Sequence, residues 1–289
     1  MKKNNMLCRK TICVILIVIA LTGVSLFAET MTFNVVTNPT GVESLSIHEQ
    51  NPDYPYGIYG YQNIEIGTEY NLSKRRMLLR FDVSALEGLY ASIDSVKLYL
   101  RYSDNTLDPL PTTDFMISIG QIAADNADWE LLTTTWNNKK DDGESTVVPW
   151  LGQPGLFESG VDYNVPVAGS FMFDHVIQNT KLRTELYIPL RTSVVVDWTV
   201  NPSNNGGLIL FGGEDIPNNI SQFYGYNNGA SGPALIVEYT PLPDTCQELW
   251  DMGLGNPVDI NKDCKVDFTD FAEFAESWLL CYDPEGGCQ

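Results

Sequence analysis

Between residue 29 and residue 240 the chain is built from short runs in which apolar and polar side chains alternate. Met77-Leu-Leu79-Arg-Phe81-Asp-Val83 places Met77, Leu79, Phe81 and Val83 on one side of an extended backbone. Val96, Leu98 and Leu100 do the same, as do Met116 to Ile119, Glu185 to Ile188, Gly207 to Phe211 and Ala234 to Tyr239. A period of two is the mark of a half-buried strand. Asp142-Gly143, Asn205-Gly206 and Asn228-Gly229 supply turn dipeptides between runs. Helical periodicity is missing apart from a turn or two near Ser193–Thr199. Many short strands without alternating helices predict a mainly β, antiparallel sandwich. One all-β domain accommodates about 210 residues. Pro241-Leu-Pro243 then reads as a stiff linker over 241–245.

A different pattern takes over in residues 246–289. Asp259, Asn261, Asp263, Asp267 and Asp270 fall at positions 1, 3, 5, 9 and 12 of a twelve-residue window, with Lys265 at position 7 offering a backbone carbonyl. That is the spacing with which an EF-hand-type loop surrounds a hard cation such as Ca²⁺. Clustered carboxylates repel one another, and a divalent cation relieves that repulsion. Two positions depart from the usual loop: Cys264 stands at position 6 in place of Gly, and Asp270 is one methylene shorter than the bidentate Glu. Phe268, Phe271, Ala272, Ala275, Trp278 and Leu279 then recur with helical spacing, predicting an amphipathic helix. A short helix is expected at Cys246–Met252. The segment resembles a dockerin with a single loop–helix repeat where the first type of dockerin has two. The resemblance implies a protein partner for the exposed helix face.

Lys2, Lys3, Arg9 and Lys10 precede an apolar run that ends near Ala28, as in a secretory signal peptide over 1–28. Its removal takes away four positive charges and no negative ones, moving the net charge from −20 to −24. Such acidity excludes nucleic acid as a partner and disfavours anionic lipid. A secreted or cell-surface location follows, with no membrane contact after cleavage. Cysteine usage agrees, since Cys246, Cys264, Cys281 and Cys288 all lie in the tail. Four cysteines allow three pairings. A straight helix would separate Cys264 and Cys281 by roughly 20 Å, beyond disulfide reach, which removes one of them. Disulfides and calcium together would staple a tail too small to bury a core of its own.

An ordered series of motifs identifies the sandwich more narrowly. Arg76-x-Leu78-Leu-Arg-Phe81-Asp82, Ile93-Asp-Ser-Val96-Lys-Leu98 and Trp129-x₄-Thr-Thr-Trp136-Asn-Asn come first. Val195-Val-Asp197-Trp198, Asn205-Gly-Gly207 and Gly232-Pro-Ala-Leu-Ile-Val237-Glu-Tyr239 follow. The series resembles the DNRLRE-type domain, related to carbohydrate-binding module family 96, across nearly all of residues 32–240. The resemblance implies a jelly-roll-like fold and a polysaccharide partner. The stretch Asp141–Gly169 departs from the compact family pattern.

Sugars are held by aromatic rings stacked on their C–H faces and by polar groups around them. Tyr54, Tyr56, Tyr59 and Tyr61 crowd a Pro/Gly-rich loop, and Tyr224 and Tyr226 flank another; these are the candidate ligand contacts. Trp129, Trp136 and Trp198 are expected in the core. If Met77, Leu79 and Phe81 face inward, Arg76 and Arg80 share the opposite face, where they could meet the carboxylates of an acidic polysaccharide or ion-pair with neighbouring acids. Only two histidines are present, His48 and His175, and no metal-binding, nucleophile-elbow or nucleotide motif accompanies them. A non-catalytic binding module with a calcium-binding attachment tail is therefore preferred. A polysaccharide lyase or hydrolase, or a structural surface protein, are the alternatives.

Overall fold

The computed structural model describes residues 28–59, 63–103, 111–180 and 184–278. Residues 1–27 of the expected signal peptide, Tyr61, Cys281 and Cys288 lie outside the described residues. The strands are, in chain order, β1 (Glu29–Phe33), β2 (Val42–His48), β3 (Asn63–Thr68), β4 (Lys74–Phe81), β5 (Tyr90–Arg101), β6 (Phe115–Gln121), β7 (Asn138–Asp141), β8 (Val147–Pro149), β9 (Gly169–Phe173), β10 (Glu185–Leu190), β11 (Leu208–Gly212), β12 (Asn219–Tyr224) and β13 (Ala234–Pro241). The helices are α1 (His175–Asn179), α2 (Thr192–Val200), α3 (Cys246–Asp251) and α4 (Phe268–Ser277). The protein is mainly β, and all its paired strands run antiparallel. Among the described residues no helix is long and apolar enough to cross a membrane.

Two sheets carry the sandwich. One has the order β1-β13-β5-β10; the other runs β12-β3-β4-β11-β6-β9, with β2 also paired to β4. Their facing sides form the main core from the alternating residues of the sequence: Met77, Leu79 and Phe81 meet Val96, Leu98 and Leu100, with Leu208, Leu210, Leu235 and Val237 between. Burial of this apolar surface supplies the driving force. Trp198, on α2, closes one end of that core.

The larger sheet is buried on its other side as well. Leu78 of β4, Ile209 of β11, and Leu45 and Ile47 of β2 form a second apolar cluster with Trp129, Trp136, Trp150 and Leu156. The cover is the long excursion between β6 and β9, which includes the short β7–β8 hairpin. Its organising group is Asp162, fully buried, whose carboxylate accepts the backbone N–H groups of Gly152, Gln153 and Glu158 and the side-chain amide of Asn126 at 2.9–3.1 Å. A buried carboxylate is tolerated when this many donors surround it. The indole of Trp129 ties the same layer to the sheet by donating to Gly206 O at 2.7 Å.

This cover changes the surroundings of the two arginines. Arg76 does lie opposite Met77, but beneath the outer layer and only 3% exposed. Its Nε and Nη2 donate to Glu214 at 2.7 and 2.9 Å, and Nη1 donates to Gly155 O and Leu156 O at 2.7 and 3.0 Å. The Phe157 ring stacks on the guanidinium at 3.6 Å. Arg80 is half-buried, paired with Glu43, bonded to Ala127 O at 3.0 Å and set over the Trp129 ring at 4.2 Å. Neither forms an open stripe for an external polymer: the ion-paired alternative is the one the fold adopts.

Candidate functional site

The acidic window folds as a tight loop between α3 and α4. Lys262 and Cys264 adopt left-handed backbone angles, φ 59° and 65°. Left-handed residues are usually Gly, Asn or Asp, yet position 6 here is a cysteine. Its side chain is tied to Cys246, the first residue of α3, by a disulfide, and its N–H donates to Asp259 Oδ2 at 2.8 Å. A covalent tie and a charged hydrogen bond thus hold the turn that glycine ordinarily permits. The three possible pairings resolve to Cys246–Cys264 for these two residues.

The other loop residues organise themselves through short-range bonds. Asn261 Oδ1 accepts from Asp263 N at 3.0 Å, and Asp263 Oδ1 from Lys265 N at 2.9 Å. Asp267 caps α4 by accepting from Thr269 N at 2.7 Å. Asp270, one turn into α4, reaches back to the loop. Its Oδ1 accepts from Ile260 N and Asn261 N at 2.7 and 3.3 Å, and its Oδ2 from Asp267 N at 2.8 Å. These backbone donors, Asp267 N–H foremost, hold the Asp270 carboxyl below its ordinary value. Asp259 also accepts three N–H groups, from Asp263, Cys264 and the indole of Trp250. Since a carboxylate offers about four acceptor positions, each of these two keeps one for another donor or a cation.

Burial in the tail runs opposite to that of a normal core. Among the described residues of 242–278, Asp259 at 2% and Asp270 at 4% exposed are the buried ones. Phe268 is 89% exposed, and Phe271, Phe274 and Trp278 are also on the surface. The loop therefore draws in the carboxylates of positions 1 and 12 and leaves the apolar face of α4 outside. Asp259, Asn261, Asp263, Asp267 and Asp270 with the Lys265 carbonyl are the oxygen donor types that hard cations take; among the described residues the ligand-type side chains that converge on Asp259 are the disulfide-bonded Cys246 and Cys264.

Sequence reasoning passed over two parts of this arrangement. Thr245-x-x-Glu248 is a capping box that starts α3 and was legible as such. Trp250, on the same helix, packs its indole N–H on Asp259 at 3.4 Å, a contact that no spacing rule announces. Because the disulfide closes a loop with a sequence separation of 18, its removal should destabilise the tail by about 3 kcal/mol. Cleavage of residues 246–267 by a protease in a Cys246→Ser, Cys264→Ser variant, compared with the oxidised parent, measures this.

The aromatic candidates separate into distinct environments. Tyr54 is 37% exposed and meets Tyr56 edge-on at 4.9 Å. Tyr56 in turn lies flat on His48 at 3.7 Å and receives the Asn51 amide N–H at its hydroxyl at 2.8 Å. Tyr59 ends the same short 3₁₀ turn. Tyr224 is the half-buried last residue of β12, and Tyr226 packs against the main core, its N–H donating to Ser44 Oγ at 2.9 Å. Burial, and secondarily the Arg75 charge, push His48 down to about 3 from 6.5. Between those values the unfolded chain takes up a proton that the folded one refuses. Stability should thus fall as pH drops from 6.5 toward 3, by up to about 1.4 kcal/mol per pH unit. Urea midpoints at pH 7.5 and 5.0 should differ in the parent and converge in His48→Gln.

His175 is bonded through its ring Nδ1 to Asp114 at 2.6 Å, and Asp174 caps α1 by accepting from Ile177 N at 3.0 Å. Compared with known proteins, the chain matches no family model, and no curated protein matches it either.

Proposed function

We propose that this chain is an exported, non-catalytic polysaccharide-binding protein: a jelly-roll-like sandwich of the DNRLRE type followed by a dockerin-like attachment tail that folds around Ca²⁺. The observation that carries the tail reading is its interior, where the described residues bury two carboxylates and no apolar side chain. Asp259, Asn261, Asp263 and Asp270 would hold the ion through side chains, Lys265 through its carbonyl, and Asp267 directly or through water. A bound cation supplies the positive charge around which the four Asp groups can gather. Once the loop is closed, Phe268 and Phe271 on α4 and Trp278 at its C-terminal cap offer an apolar face to a protein partner.

For the sandwich, support comes from Tyr54 and Tyr56. Tyr56 is fixed by its stack on His48 and its bond to Asn51, and this holds the more exposed Tyr54 ring edge-on at the surface. Rigid rings cost little entropy when a sugar lands on them. His48 takes no proton at neutral pH and faces Tyr56, so its place is structural. The test is retention on immobilised polysaccharides with a parallel assay for new reducing ends and unsaturated uronides. Retention without product, weakened about tenfold in Tyr54→Ala, is the expected result. Product formation, or no retention on any glycan, would refute the reading.

A further inference from the structure

A recess of 540 Å³ opens between the end of β6, the 160–168 loop and the start of α2. Its size is that of clefts which hold small ligands. Its lining is polar and contains no aromatic ring: Gln121, Asn164, Arg191, Ser193, Asp197 and Asn204 supply the functional groups. Ser193 and Asp197 stand four residues apart on α2, on one helix face.

What distinguishes the recess is how its charges are held. Asp197 accepts from Gln121 Nε2 at 2.7 Å on one oxygen and from Asn204 Nδ2 at 3.0 Å on the other. Both partners are neutral amides, which fix the carboxylate without neutralising it. Arg191 is exposed and donates through Nη1 to Pro166 O at 3.1 Å, again a neutral partner. No ion pair forms at either group among the described residues. Arg75, Arg76, Arg80, Lys97, Lys139 and Lys140 are all paired with carboxylates. In a chain of net charge −20, Arg191 takes no acid partner although an aspartate lines the same recess; among the described residues Lys262 and Lys265, both in the tail, likewise form no ion pair. Arg191 and Asp197 each keep hydrogen-bonding capacity for something from outside.

We infer that this recess binds one acidic sugar unit, with Arg191 taking the ring carboxylate and Asp197, assisted by Asn164 and Ser193, accepting or sharing hydroxyl protons. Guanidinium matches carboxylate in charge and shape, and a fixed carboxylate is a strong acceptor for sugar hydroxyls. Binding here uses one ion pair and hydrogen bonds without ring stacking, so the recess is a subsite separate from the Tyr54–Tyr56 rings. The inference rests on the polysaccharide reading and narrows it to one place and one chemical class.

Saturation-transfer NMR on the whole protein, with glucuronate and glucose as probes, tests it. Glucuronate should bind better than glucose, and Arg191→Gln should weaken it about tenfold or more while leaving glucose unchanged. Asn164→Ala should weaken both sugars. Both side chains are exposed, and circular dichroism verifies that the variants fold. Unchanged glucuronate transfer in both variants would overturn the subsite. Loss in Tyr54→Ala but not in Arg191→Gln would move binding to the tyrosines, overturning the subsite while leaving the polysaccharide reading intact. No transfer from either sugar in the parent would overturn the subsite as well; retention on polysaccharide in that case would still uphold the broader reading.

Discussion

Replacing Arg76 with alanine is expected to cost the sandwich about 3–5 kcal/mol, the range for breaking a buried ion pair by deleting one partner. The substitution leaves the Glu214 carboxylate without its counter-ion and the carbonyls of Gly155 and Leu156 without their donor. It also empties the space beneath Phe157. Because those carbonyls belong to the outer layer and Arg76 to β4, the same change unpins the cover from the sheet. Domains of this kind have about 5–15 kcal/mol in total, so the loss is a large fraction. Urea denaturation gives the number. Arg80→Ala, at a half-buried and solvent-screened pair, should cost about 1 kcal/mol. A shift under 1 kcal/mol for Arg76→Ala would remove the claim that this arginine locks the two layers together.

The second large effect is expected from calcium. Titrating the whole protein with Ca²⁺ should give saturable heat, and chelation should expose residues 246–278 to protease. At a free concentration a hundred times the dissociation constant, the ion stabilises the folded loop by about 2.7 kcal/mol. Asp259→Asn and Asp270→Asn keep hydrogen-bond acceptors but remove the two buried charges, and each should abolish the heat. Acid should weaken binding as well. The Asp270 carboxyl is held below its ordinary value by backbone donors, so it is charged at neutral pH, and its contribution is lost as pH falls through the folded value. Binding that survives in both variants would place the ion elsewhere and end the proposal for this loop.

How much of this was readable depends on whether a feature is local. Alternation located β5 and β6, and the turn dipeptides fell between β7 and β8, before β11 and between β12 and β13, because each is a property of neighbouring residues. The same rule half-succeeded on β4: Met77, Leu79 and Phe81 face the main core as spaced, but Leu78 is equally buried. Its cover comes from Trp129, Trp136 and Trp150, residues far along the chain with no periodicity of their own. That hidden layer is also why Arg76 and Arg80 could be placed on the correct face and still be given the wrong surroundings. In the tail, the loop was visible because its donors are spaced by fixed numbers. The disulfide partner was not, since pairing depends on how α3 folds back on the loop. Asp197 stood inside a recognised motif, yet nothing in its neighbours revealed the recess it lines.

The pairing of β1 with β13 has a consequence for biosynthesis. Glu29 lies beside Tyr239, and the phenol of Tyr239 bonds the Glu29 carboxylate across a sequence separation of 210. β13 is also the strand that joins β1 to β5. The smaller sheet therefore cannot assemble until almost the whole sandwich has been synthesised, and such distant pairings make for slow folding.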